Sequence, residues 1–220
     1  MLFRSLNALG LLLANIKDAY EYHELDQTYL DAEMTTGRRL IDKMSTTIDD
    51  FRNFFKPNKE KEDFGLEKAI EDTLELVRQS LESHGIAVHV ESGAEISANG
   101  FPNEFSQVLL NILNNAKDAM LERRMNCGEI QVALGLDGEM AWVTFKDNAG
   151  GIADDILPKI FDPYFTTKEK GTGIGLYMSK MIMAHMDGTI DARNTGQGAE
   201  FRLTLPKSTR GQNGVAQHSQ

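Results

Sequence analysis

Three stretches of this chain carry residue types that can do chemistry together. Along Gln107-Val-Leu-Leu-Asn-Ile-Leu-Asn-Asn-Ala-Lys-Asp-Ala-Met120, the residues Asn111, Asn115 and Asp118 recur three and four apart, which lines them along one side of a helix. Val108, Leu109, Ile112, Leu113, Ala116, Ala119 and Met120 fill the other side. A carboxamide oxygen can ligate magnesium without adding negative charge beside a triphosphate, so Asn115 reads as a metal ligand. In Asp147-Asn-Ala-Gly-Gly-Ile152, a carboxylate closes the strand-like run Trp142-Val-Thr-Phe-Lys146. At the end of a sheet it can accept the exocyclic amine proton of adenine, and Gly150 and Gly151 leave room for a flat ring. Gly171-Thr-Gly-Ile-Gly-Leu176 sets three glycines ahead of an apolar helix, where backbone amides and the positive end of the helix dipole meet phosphate oxygens. Lys168, and with it Lys170, stands just upstream to screen phosphate charge. Phe161 and Phe165 flank Pro163 in an irregular segment and read as anchors of a lid, because bulky aromatics in a loop need a pocket to stay dry. Each stretch alone has an ordinary reading: a solvated helix face, a turn, a glycine loop, a structural plug. In combination they describe a magnesium–ATP pocket.

The elements that must position these residues are legible from periodicity. Leu6, Leu9, Leu13, Ile16 and Tyr20 define one amphipathic helix. After a polar break near His23, the residues Leu30, Met34, Gly37, Ile41, Met44, Ile48, Phe51 and Phe55 define the heptad seam of a second, ending before Pro57. Two such helices form an antiparallel hairpin whose apolar stripe needs more cover than a single partner helix gives; pairing two hairpins into a dimeric four-helix bundle supplies it, and packing on the following domain is the other solution. The expected division is therefore a hairpin over 1–56, a charged linker over 57–63, a catalytic domain over 64–206 and a loose tail over 207–220. Within that domain the pattern predicts helices over 66–81, 102–123 and 174–186. Strands are expected over 86–90, 129–136, 140–146, 189–193 and 199–205. The fold class is α+β.

Composition narrows the partners. With 220 residues and 41% hydrophobic content the chain can bury a substantial core. A formal charge of -10 leaves no broad cationic surface for nucleic acid or an anionic membrane. The leucine cluster Leu11 to Leu13 is far short of the roughly 20 apolar residues that cross a bilayer, so no membrane segment is expected in this chain. The lone Cys127 excludes an internal disulfide and fits a reducing, cytoplasmic setting.

In order and spacing, Gln107 to Met120, Asp147 to Ile152, Phe161 to Lys168 and Gly171 to Leu176 resemble the N, G1, F and G2 boxes of sensor histidine kinases. These belong to the wider ATP-binding fold shared with gyrase-type topoisomerases, mismatch-repair ATPases and the heat-shock chaperone ATPase. The resemblance implies a two-layer α/β sandwich that binds ATP and Mg2+ and passes the γ-phosphoryl group to a histidine, for relay to the receiver domain of a response regulator. It implies that Asn111 and Asn115 contact magnesium and phosphates, that Asp147 reads adenine with Gly151 supporting the base, and that Gly171, Thr172, Gly173, Ile174, Gly175 and Leu176 line the phosphate channel. Asp118, Ile152, Phe161, Phe165, Thr167 and Lys168 complete the expected ATP-binding set, with Asn111, Asn115 and Lys168 as its catalytic members. In the hydrolysing relatives a glutamate one helical turn before the metal-binding asparagine activates water. Here Asn111 holds that place, and an amide cannot accept the proton usefully, so phosphoryl transfer fits better than hydrolysis.

The family's phosphoacceptor histidine precedes a proline on the first hairpin helix, and Ser5 to Gly10 resembles the segment just after that proline, so the acceptor is expected to be missing from this chain. His23-Glu-Leu imitates the start of the acceptor motif but no proline follows at the right distance; His84, His89, His185 and His218 lack any acceptor context. Two other functions share the same pocket: a nucleotide-dependent interaction module that transfers no phosphate, and an ATPase of the same fold.

Overall fold

A computed structural model describes residues 2–54, 60–91, 95–168 and 171–208, which form two compact units divided after Asn58. The first unit is a helical hairpin of α1 (Leu2–Glu21) and α2 (Gln27–Phe54). The chain reverses at His23, which adopts φ 60°, and the Asp26 carboxylate accepts the Tyr29 amide at 2.7 Å to start α2. Leu12 and Ala19 are buried against α2, and Gly37 lets that helix approach Leu9 and Leu12. The interhelical line on α1 therefore runs through Leu9, Leu12 and Ala19. Leu13 (60% exposed) and Tyr20 (70%) from the apolar face of α1, and Met34 (49%) and Ile41 (51%) from the seam of α2, stay open. The side chains of Leu6, Ile48 and Phe51, and Phe55 altogether, lie outside the described residues, as do Lys170, His218 and the tail from 209.

The second unit is a two-layer sandwich. Its sheet runs in the order β2 (Ile86–Glu91), β4 (Gly128–Asp137), β5 (Met140–Asp147), β7 (Ala199–Pro206), β6 (Thr189–Asn194), with β2 parallel to β4 and the other pairs antiparallel. Strict alternation decides which face is covered: Ala141, Val143, Phe145 and Asp147 of β5 point inward, as do Ala199, Phe201, Leu203 and Leu205 of β7. Helices α3 (Leu66–Glu82), α4 (Pro102–Glu122) and α5 (Gly175–His185) pack on that face. Pro102 opens α4 where its missing N–H costs nothing, and Phe105, Val108, Leu109, Ile112, Leu113 and Met120 form its buried stripe. The periodic stretches over 66–206 thus form the expected elements within a residue or two at each end.

Two short strands were not anticipated. β1 (Glu62–Gly65) pairs antiparallel with β3 (Ser97–Gly100), and Glu62 and Asp63 fall within the stretch read as linker. Strands of four residues with charged and small side chains carry too little alternation to stand out; Leu66 N–H donating to Ile96 O and Phe64 packed on Phe105 (ring centroids 5.4 Å apart) hold the pair to the core. Among the described residues no helix is long and apolar enough to cross a membrane.

Candidate nucleotide site

Four segments converge on one cleft of about 900 Å³: the polar side of α4, the end of β5 with residues 147–152, the irregular segment around 165–168, and the start of α5. The expected ATP-binding set lines it except Phe161 and Ile174, and Gly150, also read as leaving room for the base, lies just outside the lining. Phe161 turns toward Lys180, whose Nζ lies 5.8 Å from the ring centroid. Ile174 is buried as the residue preceding α5, because the loop must place an apolar side chain under the helix start.

The α4 residues reach the cleft for the reason their spacing predicts: Asn111, Asn115 and Asp118 lie half-buried beside a fully buried stripe. Lys168 crosses from the opposite wall, and its ammonium donates to Asn115 Oδ1 at 2.9 Å and to Asp118 Oδ2 at 2.6 Å. A carboxamide oxygen and a carboxylate oxygen thus already hold a cation at the place read as the metal position. Oxygen donors suit magnesium, and Asn115 and Asp118 fit that ion once phosphate or water oxygens complete its shell. Among the described residues no cluster of three or more histidine, cysteine or acidic side chains offers a complete protein cage.

Asp147 is 7% exposed, and its Oδ1 accepts the amides of Ala149 at 2.8 Å and Ala199 at 3.2 Å. Its Oδ2 takes no hydrogen bond from any described residue and is left for a donor in the cleft. Gly198 makes this arrangement possible, since a Cβ there would fall 1.8 Å from the Asp147 carbonyl oxygen. Gly150 and Gly151 follow with φ 81° and 80°, conformations only glycine takes without strain.

At the other end, the Asn111 Nδ2 donates to the buried Ser179 hydroxyl at 2.9 Å. That bond turns Oδ1 toward Gly175, where a Cβ would lie 2.4 Å away, so glycine at 175 lets α5 and α4 meet here. No side chain caps the first turn of α5, which leaves the donors of its helix terminus for a ligand. The segment carrying Phe165 and the glycine loop interlock: Tyr164 N–H donates to Gly173 O at 2.8 Å, and a Cβ on Gly173 would strike the Tyr164 carbonyl carbon at 2.4 Å.

Several contributors were not singled out from sequence. Asn114, Ala149, Ile156, Ile160, Ala199 and Phe201 also line the cleft, and Ser179 orients Asn111 from outside it. For Ala199 and Phe201 the available signal was the Gly196-Gln-Gly198 turn ahead of β7; for the apolar wall residues there was none, because core and ligand surface use the same residue types.

The chain as a whole is similar to known proteins. Residues 100–209 match the family of histidine kinase-, DNA gyrase B- and HSP90-like ATPases. The two-component sensor PprA of Pseudomonas aeruginosa is 30% identical over 213 residues, covering 91% of this chain and 23% of PprA. The solved catalytic domain of the histidine kinase ThkA is 26% identical with a TM-score of 0.62, covering 68% of this chain and 97% of the domain. A structure of ThkA bound to the response regulator TrrA shares the fold at a TM-score of 0.64 and 20% identity, over 94% of this chain and 59% of that one. The chain spans about a quarter of the length of the curated relatives it matches.

Proposed function

Because the chain belongs to the histidine kinase-, DNA gyrase B- and HSP90-like ATPase family, and its relatives there are sensor histidine kinases, we propose that it is the catalytic core of a two-component sensor histidine kinase. It binds Mg-ATP and delivers the γ-phosphoryl group to a histidine, from which a response regulator takes it. The observation that carries this reading is one cleft with the Lys168 ammonium held by Asn115 and Asp118 at one end and, at the other, Asp147 anchored through Oδ1 with its Oδ2 taking no hydrogen bond from any described residue.

In the mechanism, Asp147 Oδ2 accepts the adenine amine and Gly151 lets the ring lie close. Asn115, with Asp118 beside it, would hold magnesium, and the metal would supply neutralisation of phosphate charge. The ammonium of Lys168 moves from these oxygens to the phosphates, and the free amides at the start of α5 face the same oxygens. Asn111, fixed by Ser179, contributes a neutral amide in place of a base, so the site orients the phosphoryl group without activating water. Positioning and charge neutralisation do the chemistry, as expected for a loose phosphoryl-transfer transition state.

The hairpin supplies the second half of the machine. Leu13, Tyr20, Met34 and Ile41 remain exposed on it, which supports pairing with the hairpin of a second copy to form a four-helix bundle. The acceptor is not among the chain's described histidines. His23 sits in the reversing turn, His84 Nδ1 engages Ser80 O at 2.7 Å, His89 lies in strand β2 of the catalytic unit, and His185 stacks on Phe101 with centroids 4.9 Å apart. The test is incubation with γ-labelled ATP, magnesium and a separate hairpin bearing an acceptor histidine. Acid-labile label on the added hairpin is expected. Label on this chain itself, or on neither, contradicts the reading.

A further inference from the structure

The adenine side of the cleft ends in two consecutive glycines of positive φ, Gly150 and Gly151, which are the residues least able to hold a conformation on their own. Two side chains that do not line the cleft grip them. From the end of β6, Asn194 engages both polar groups of Ile152: its Oδ1 accepts the amide at 2.8 Å and its Nδ2 donates to the carbonyl at 2.6 Å. The same Nδ2 reaches Asp154 Oδ1 at 3.3 Å. This paired donor and acceptor contact fixes the amide orientation and imitates a strand partner. Asn194 Oδ1 also lies only 2.8 Å from where a Gly151 Cβ would be, so the side chain rests directly on the loop. From the end of α4, Arg123 Nη2 donates to Gly151 O at 2.9 Å, and its Nη1 occupies the space beside Gly150. Behind the loop, Gly150 N–H donates to Gln197 O at 2.8 Å.

We propose that Asn194, opposed by Arg123, is a positioning residue that sets affinity for the adenine ring without touching it. The inference rests on the reading of Asp147 as the adenine acceptor. Releasing either grip lets the glycine pair sample its many other conformations, and the base must then order the loop as it binds. The triphosphate contacts at α4, Lys168 and the glycine loop are shared by every nucleoside triphosphate and are not affected.

The experiment measures Mg-ATP and Mg-GTP affinity for the wild type, Asn194→Ala and Arg123→Ala, together with melting temperature without nucleotide. We expect ATP to bind about tenfold more weakly to Asn194→Ala, the loss of roughly one net hydrogen bond. GTP affinity stays within about twofold, so preference for adenine falls by nearly the same factor, and Arg123→Ala gives the same pattern more weakly. Because both side chains are exposed, the melting temperature should barely move. If ATP and GTP weaken in parallel with a lower melting temperature, Asn194 is merely structural and the inference is overturned. If the wild type binds ATP with a preference over GTP and both variants match it, the inference fails alone. A wild type without ATP binding removes the underlying reading as well.

Discussion

Asp147→Asn separates hydrogen-bond direction from shape. The backbone amides of Ala149 and Ala199, at 2.8 and 3.2 Å, both point at Oδ1. An asparagine must therefore keep its oxygen there, since the flipped amide would set its NH2 against two N–H donors. Its nitrogen is forced into the Oδ2 position, facing the cleft. An adenine amine that donated to a carboxylate now meets another donor. The lost charge-assisted bond is worth about 1.5–3 kcal/mol, and leaving two donors unpaired brings the total to about 2–4 kcal/mol. ATP affinity should fall by roughly 30- to 1,000-fold. The folded state keeps both bonds to Oδ1, so stability changes little. Guanine carries an acceptor at the corresponding ring position, so GTP should gain relative to ATP. Titration calorimetry with both nucleotides and a melting curve measure all three. ATP affinity within threefold of wild type, or an unchanged preference for adenine, would refute the assignment of Asp147.

Other consequences follow from single contacts. Ser179→Ala leaves the half-buried Asn111 amide without its partner at 2.9 Å, and should cost about 1–3 kcal/mol of stability and slow transfer to an added acceptor, read by melting and by label transfer. Gly198→Ala drives a Cβ to 1.8 Å from the Asp147 carbonyl; overpacking of about 1–3 kcal/mol should lower the melting temperature by about 2–4 °C per kcal/mol and weaken ATP binding at the same time. Asn111→Glu places a carboxylate one turn before Asn115 and should produce steady phosphate release above the wild-type level, measured by a coupled phosphate assay; no increase would mean that the amide is not what suppresses hydrolysis.

Much of the site was legible in the sequence because its parts are local. The polar stripe of α4, the carboxylate closing β5 and the glycines opening α5 are each set by spacing within a dozen residues, and their order along the chain made the family resemblance specific. What stayed hidden depends on contacts distant in sequence. Nothing near Ser179 says that it meets Asn111 across 68 positions, and nothing near Asn194 says that its amide pairs with Ile152. β1 and β3 have only four residues each, the first strand half charged and the second built of small and polar side chains, so alternation does not show, and β1 begins inside the charged stretch read as linker. In the hairpin, a three-four repeat marks an apolar face on α1 but not which line of it meets α2: Leu12 and Ala19 are buried there, while Leu13 and Tyr20 stay exposed.

A crystal soaked with magnesium and a non-hydrolysable ATP analogue would show directly whether Asn115 and Asp147 hold the two ends of the nucleotide. We expect the metal about 2.0–2.1 Å from Asn115 Oδ1, the Lys168 ammonium moved onto the phosphates, and the purine amine on Asp147 Oδ2. Nucleotide bound with Lys168 still bridging Asn115 and Asp118, or a cleft that stays empty at millimolar analogue, would contradict that reading.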